Sequence, residues 1–256
     1  MEYKTKRKFY YFFRTNYRHR KYAQDGLNKL RQYGDIVLIG GMLRDIILFG
    51  NWGFKSDLDC VIKPKDINEF DKYMMGLGAH VNKFGGYAIQ LNRWKIEVWP
   101  LERTWAHVNR HVNVSDFKDL RKVTFFNCDA IIYDLNQKSF IVNDSYFDDL
   151  SNRILEINLK PNPNPTGNAV RAFRYALTKG FHWGPNLMYF MAEVIDSVGW
   201  DDLRKSELRS FNTQYIDLIN RDTMNRALNS QISTSELSSF SLSDFERNKQ
   251  LKLPVN

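Results

Sequence analysis

Cysteine is nearly absent from this chain, with two residues in 256, Cys60 and Cys128. Both sit in apolar, strand-like runs and read as small core residues, so no disulfide framework is expected. No CxxC pair occurs, which excludes a cysteine-rich metal centre and leaves a reducing compartment as the simplest home. Long apolar runs are also missing: none approaches the roughly 20 residues of a membrane span. The opening, MEYKTKRKFYYFF, lacks the long apolar core of a secretory leader, so the cytoplasm is the expected location and no membrane is expected among the partners. Proline is sparse and bunched, with Pro161, Pro163 and Pro165 spaced by asparagines. Acidic residues number 29 against 37 Lys and Arg, a net charge of +8. That balance favours a polyanionic partner such as RNA without specifying one. No internal repeat is visible. The chain does have 43% hydrophobic and 14% aromatic residues, as in a folded protein with a real core, and a length that suits one large domain or two small ones.

The most informative stretch is 35–63, DIVLIGGMLRDIILFGNWGFKSDLDCVIK. An apolar run, Ile36 to Ile39, predicts a buried strand that breaks on Gly40-Gly41. A helix carrying Arg44 and Asp45 follows, then a turn rich in Gly and Asn, then a second strand that opens with Asp57 and Asp59. Side chains two apart on a strand share a face. Leu58, Cys60 and Ile62 therefore face the core, and the two aspartates project together from the other side. Like charges held this close repel unless a cation sits between them. Oxygen-only ligands suit a hard ion such as Mg²⁺, which also takes substrate phosphates as ligands. Gly-Gly at a strand end lets backbone amides approach a ligand, and a helix N-terminus attracts phosphate. A DxD pair alone is also what a solvated strand edge shows; the phosphate cradle beside it turns the reading toward phosphoryl or nucleotidyl transfer.

Downstream, Asp66 is a good N-cap for a helix running to about Met75. Tyr87–Leu91 and Trp94–Trp99 predict a hairpin around Asn92-Arg93. On its second strand Trp94, Ile96 and Val98 share the apolar face, and Lys95, Glu97 and Trp99 share the other. Glu97 is thus the candidate third carboxylate. Residues 103–117 read as a polar, mobile loop. His107 and His111 are spaced i, i+4, but with no third ligand nearby they do not make a zinc site.

GGMLRD followed by SDLD resembles the head domain of tRNA nucleotidyltransferases and bacterial poly(A) polymerases, in the DNA polymerase beta superfamily. The pattern GGxxRD then DxD is met at Gly40, Gly41, Arg44, Asp45, Asp57 and Asp59. The resemblance covers roughly residues 35–180. It implies an α/β (α+β) head with a mixed sheet of about five strands, followed by an all-α neck. It implies transfer of NMP from an NTP (ATP and/or CTP) to an RNA 3′ end, tRNA first, with two Mg²⁺ ions, or Mn²⁺ instead, held by Asp57, Asp59 and Glu97. Gly40 and Gly41 would cradle the triphosphate. Asp45 would be an orienting residue, and Arg44, Arg121 and Lys122 would neutralise charge as pyrophosphate leaves.

Two departures accompany the match. DLRKVTFFNCDA at 119–130 is similar to the family's RRDxxxNA element, with Arg121, Lys122 and Asn127 in place but Val123 where the family has Asp. RAFRYA at 171–176 is similar to the RAFRFA run of the neck, retaining Arg171 and Arg174 as candidate nucleotide contacts. The EDxxR device that precedes this run and reads the base is replaced by Asn164, Pro165 and Asn168, so base reading is either rebuilt or absent.

KPNPNPTG at 160–167 predicts a semi-rigid connector. The organisation expected is therefore a basic, aromatic N-terminal extension at 1–34, a head at 35–160 and a helical neck-like domain at 161–256, with two helices over 186–198 and 201–228. Residues 1–22 carry eight Lys or Arg against one acid, interleaved with aromatics. Two readings stand side by side: an RNA surface using Lys4, Lys6, Arg7, Lys8, Arg14 and Arg18, or a first helix that packs its rings on the domain. The functional alternatives are a transferase of a toxin or phage–host conflict system acting on tRNA or protein, and a non-catalytic RNA-binding protein on a transferase scaffold.

Overall fold

The computed structural model describes Phe9, Phe12 and residues 20–50, 57–82, 84–92, 94–234 and 239–245. These fall into two compact units. One runs up to Thr124 and resumes over Cys128–Phe147; the other takes Phe125–Asn127 and continues from Asp148. The candidate RNA contacts Lys4, Lys6, Arg7, Lys8, Arg14 and Arg18, and Arg93 of the hairpin turn, lie outside the described residues.

In the first unit α1 (Arg20–Leu30) leads into β1 (Gly34–Ile39), α2 (Gly41–Phe49), β2 (Leu58–Pro64), α3 (Ile67–Gly76), β3 (His80–Val81), β4 (Tyr87–Leu91) and β5 (Trp94–Pro100). A helical turn α4 (Trp105–Val108), β6 (Ile132–Asp134) and β7 (Ser139–Ile141) follow. The strands form one mixed seven-stranded sheet ordered β3-β4-β5-β2-β1-β6-β7. That is more than the five or so expected; β3 at one edge is two residues long and shows no periodicity. The pairings are antiparallel except β2 with β5, which is parallel. A parallel pair cannot be joined by a tight turn, and here α3 and the β3–β4 hairpin fill the crossover. Asp66 begins α3 as the sequence predicts, its carboxylate accepting from the Asn68 and Glu69 amides at 2.7 and 3.1 Å.

Ile36, Leu38, Leu58, Cys60, Ile62, Ile96 and Val98 are all buried, as the period of two predicts for one face. α1 packs on β4 and β5, and α2 on β1 and β2. The opposite face is not fully open. Val37, Ile39 and Val61 pack there with Leu101, Val114, Phe117, Leu120 and Ile132. This second cluster is built by the stretch expected to be a mobile loop. Short-range bonds fix it: the Val114 amide donates to His107 Nδ1 at 3.0 Å, and Asp116 and Asp119 form a capping box at the 3-10 turn Phe117–Lys122. His107 thus serves the backbone, and His111 lies with its ring 5.0 Å from that of Trp105. Phe9 and Phe12 are fully buried; Phe9 packs on Tyr133 and Phe140, and Phe12 on Trp94. Those two rings belong to the core and not to a stacking surface.

The second unit holds β8 (Ile154–Leu155), α6 (Pro165–Lys179), β9 (His182–Trp183), α7 (Pro185–Val198), α8 (Trp200–Phe211) and α9 (Arg221–Thr234); α5 (Tyr146–Ser151) carries the chain into it. The connector ends earlier than expected. Pro165 is the first residue of α6, where a fixed φ and a missing N–H cost nothing, and the Asn164 side chain caps it by accepting from the Gly167 amide at 2.9 Å. Gly180 closes α6 in the left-handed conformation at φ 69°, the predicted C-cap. The long helix expected over 201–228 is instead two, because Asn212 turns left-handed at φ 51° and a 3-10 turn at Tyr215–Leu218 intervenes. α7 begins at a glycine with no side chain to cap it; Glu156 does so from outside, accepting from the Asn186 and Leu187 amides at 3.0 and 2.9 Å. Among the described residues no helix is long and apolar enough to cross a membrane.

One ion pair ties α3 and β4 to the segment after β5. Arg103, after β5, forks onto Asp71 of α3 at 2.9 and 2.7 Å, and the Tyr87 hydroxyl of β4 donates to the same carboxylate at 2.7 Å. Burial alone would raise the Asp71 carboxyl, but the bonds from Arg103 and Tyr87 hold it below the usual carboxylate range. A depressed folded-state pKa contributes stability that is present above the unfolded value, near 3.9, and is lost as pH falls through the folded one. Arg103→Met is expected to cost about 0.5–1 kcal/mol at pH 7, discounted for the water around a half-exposed pair. The gap between variant and wild type should narrow in urea melts as pH falls below about 4 and vanish only below the lowered Asp71 value; a gap that does not narrow with falling pH refutes the ion-pair origin.

Candidate active site

The site assembles where β1 ends and β2 begins. The two strands are antiparallel with Leu38 opposite Cys60, so Gly40 and Gly41 emerge at the same end of the sheet as Asp57 and Asp59. Gly40 has φ 83° and ψ −138°, a conformation open in practice to glycine alone. Its amide donates to the Ile131 carbonyl at 3.1 Å. Among the described residues a Cβ built on Gly40 would meet nothing within 4 Å, so the requirement shown there is torsional, at the start of the nine-residue α2. Gly41 is half-buried and no side chain caps the helix; a helix N-terminus left without a side-chain cap is suited to an anionic group.

The β2–β5 register supplies the third carboxylate. Asp59 pairs with Glu97, one step beyond Leu58 with Ile96. Adjacent parallel strands therefore present Asp59 and Glu97 side by side on the face away from the main core. Along that face of β2, exposure falls from Asp57 through half-buried Asp59 to buried Val61. The carboxylates thus stand on the rim of the second apolar cluster. The three side chains do not meet bare. Lys95, two residues before Glu97 and on the same face, donates to Asp57 Oδ2 at 2.9 Å and to Glu97 Oε1. Glu97 first, and then Asp57, hold its ammonium well above the ordinary lysine range against some desolvation. Among the described residues no three carboxylate, histidine or cysteine side chains are gathered tightly enough to hold an ion. The donor chemistry fits a hard divalent cation nonetheless: it is all oxygen, partly accessible, and already attracts a positive charge.

Arg44 and Asp45 are placed differently from the bases of an exposed phosphate site. Both are buried. The Arg44 guanidinium donates to Asp45 Oδ1 at 2.8 Å and to Asp129, 85 positions away and also buried. One guanidinium thus meets two carboxylates where α2 joins the segment before β6, and this pairing holds the helix that begins at the Gly40–Gly41 backbone. Arg121 donates to the Lys118 and Val142 carbonyls at 2.9 and 3.0 Å, pinning the 3-10 turn. Lys122 is largely exposed, 3.7 Å from Asp119.

The remaining candidates lie in the second unit. Asn127 is a structural bridge: its amide nitrogen donates to the Ile154 carbonyl at 3.1 Å and its oxygen accepts from the Glu156 amide at 2.9 Å. Arg171 lies over the Phe126 and Tyr175 rings at 5.2 and 5.5 Å and donates to the Tyr175 hydroxyl at 2.9 Å. Arg174 is held between Phe211 and Tyr215 and pairs at 3.1 Å with Glu207, which is wholly buried. Glu207 also accepts from the Tyr215 and Ile216 amides at 3.1 and 3.0 Å. Of the positions where the base-reading device was sought, Asn164 caps α6 and Asn168 is buried. Sequence reasoning passed over Lys95, Asp129, Glu156 and Glu207. Lys95 alone had a local signal, since it shares the face of Glu97 at i−2.

Two outcomes follow. Gly40→Ala is expected to destabilise the fold by about 1–3 kcal/mol through backbone strain, read by chemical denaturation; an unchanged midpoint refutes it. Arg174→Met should cost about 3 kcal/mol, because it leaves a carboxylate buried beside two amides without its cation. If Arg174 were chiefly a substrate contact, the variant would melt like wild type and lose only affinity.

No family model and no curated protein sequence matches the chain. Solved structures do. A tRNA-processing enzyme complex aligns with TM-score 0.53 at 16% identity, over 78% of this chain and 55% of that one. A CCA-adding enzyme with ATP aligns at 0.52 and 17%, over 81% and 51%. A tRNA nucleotidyltransferase complexed with a primer tRNA and an incoming ATP analog aligns at 0.51 and 16%, over 77% and 58%. The chain spans a little over half the length of these enzymes. At such identities the likeness establishes architecture, and the chain shares its fold with CCA-adding enzymes and tRNA nucleotidyltransferases.

Proposed function

We propose that this protein is a divalent-metal-dependent nucleotidyltransferase that moves NMP from an NTP, ATP or CTP, to the 3′ end of an RNA, with tRNA the first acceptor to test. The observation that carries the reading is the parallel register that sets Glu97 beside Asp59, at the sheet end where Gly40 and Gly41 open α2. Fold likeness to tRNA nucleotidyltransferases supports it.

Asp57, Asp59 and Glu97 would hold Mg²⁺ or Mn²⁺, which when bound supplies charge neutralisation at the phosphates and acidifies the attacking hydroxyl. The chain's own groups divide the remaining work. The Gly40–Gly41 backbone and the α2 N-terminus receive the triphosphate. Glu97, less exposed than Asp57, would take the proton of the 3′ hydroxyl. Lys122 offers an exposed cation for the departing pyrophosphate. Arg44 and Asp45 act one step back by keeping the glycine pair in place.

A second reading keeps this chemistry and changes the acceptor to a tRNA being inactivated or to a protein. It is favoured by the structural use of Asn164 and Asn168 at the positions where a base reader was sought.

The deciding experiment incubates the full chain with Mg²⁺, tRNA lacking its 3′ end and each labelled NTP separately, beside an Asp57→Ala, Asp59→Ala double variant. Label in RNA is expected from wild type and at least 10³-fold less from the variant, on the order of the loss when transition-state charge stabilisation is removed. Label in a protein band instead supports the second reading. Tight RNA binding that is equal in both proteins, with no label from any NTP, overturns the enzymatic reading and leaves a binding scaffold.

A further inference from the structure

Two of the three carboxylates of the site, Asp57 and Glu97, converge on a cation that the chain itself supplies. Asp57 precedes β2, and Glu97 lies on β5 beside Asp59. The Lys95 ammonium bridges Asp57 and Glu97, at 2.9 Å from the Asp57 oxygen and bonded to the Glu97 oxygen. Strand geometry makes this contact unavoidable in kind: a side chain two residues before Glu97 must leave the sheet on the same face. The lysine stem is long enough to cross to the neighbouring strand. Its side chain keeps 43% of its exposure and that of Asp57 48%, so neither is locked in by burial, and the bridge can open without unfolding the sheet.

We propose that Lys95 is a built-in counter-ion that a divalent metal must displace. In the metal-free protein it relieves the repulsion among Asp57, Asp59 and Glu97 and keeps their strands in register. On metal entry it gives up Asp57 and Glu97 to the ion. Lys95 is therefore a positioning residue that sets the threshold for metal binding, so that the site charges only at a metal level, or with a metal–nucleotide complex, sufficient to compete with an ammonium already in place. This inference rests on the reading that these carboxylates hold a metal.

The test is a Mn²⁺ titration of the full chain without nucleotide at constant pH, following free Mn²⁺ by electron paramagnetic resonance. Wild type, Lys95→Met, Lys95→Arg and the Asp57→Ala, Asp59→Ala variant are compared. Lys95→Met should bind Mn²⁺ about tenfold more tightly than wild type, the scale of removing one unit charge at hydrogen-bond distance in partly screened surroundings. Lys95→Arg, which keeps the charge, should stay within about twofold of wild type. In EDTA, Lys95→Met should melt below wild type and regain the difference when Mn²⁺ is added. Lys95→Gln is the second uncharged variant should the methionine misfold. Affinity unchanged or weakened in both uncharged variants, with binding still abolished in the double aspartate variant, overturns the counter-ion while keeping the metal site. Absence of Mn²⁺ binding in wild type and in both uncharged variants overturns the metal reading and this inference with it.

Discussion

Everything distinctive about the first unit depends on one strand pairing. β2 and β5 are its parallel neighbours among the described residues, and their register sets two carboxylates side by side. Because side chains alternate, a slip of one residue would carry Glu97 into the apolar interior and bring Ile96 or Val98 to the rim. The register is therefore held from both faces. Leu58, Cys60, Ile96 and Val98 fix it from the main core, and Val61 fixes it from the second cluster that residues 101–120 build. Like charges are tolerated at the rim because the strands bearing them are anchored on apolar contacts worth more than the repulsion, and because an ammonium sits among them.

The same economy of charge runs through the rest of the molecule. Arg44 is balanced by Asp45 and Asp129, Arg103 by Asp71, and Arg174 by Glu207. Arg44 and Arg174, which look like nucleotide contacts in the sequence, are in three dimensions the partners of buried carboxylates, while Arg121 is held by backbone carbonyls and Arg171 by Phe126 and Tyr175. Of the site's described candidate cations, the more exposed are lysines, Lys95 and Lys122.

What the sequence made legible is what local periodicity and turn chemistry determine. The faces of β2 and β5, the Asp66 cap, the Gly180 cap and the hairpin of β4 and β5 all follow from spacing within a few residues. The break of the predicted 201–228 helix at Asn212 does not, because asparagine is only mildly disfavoured in helices and the decision is made by Glu207 collecting the amides of Tyr215 and Ile216. The ordering of 103–117 likewise depends on Val114 and Phe117 finding the underside of a sheet built far away in the chain. Asp129 could not be assigned to Arg44 from a separation of 85 positions, and the Lys95 bridge to Asp57 needed a strand register that no local pattern encodes. Contacts beyond the reach of local periodicity, apolar in one case and charged in the others, are the common reason for what was missed.

The three residues Phe125–Asn127 belong to one unit while their neighbours on both sides belong to the other. Phe126 is fully buried, bridges to Ile157 and packs on Tyr175, and Asn127 clasps Ile154 and Glu156. The polypeptide thus visits the helical unit, leaves and returns, so no single scission divides the molecule into its two parts. A fragment begun at residue 148 would lack a buried ring and two backbone clasps, and one ended there would carry Phe125 and Phe126 with their intended surroundings gone. Modular exchange of the helical unit, by recombination or by engineering, has to carry a tripeptide from within the other unit along with it.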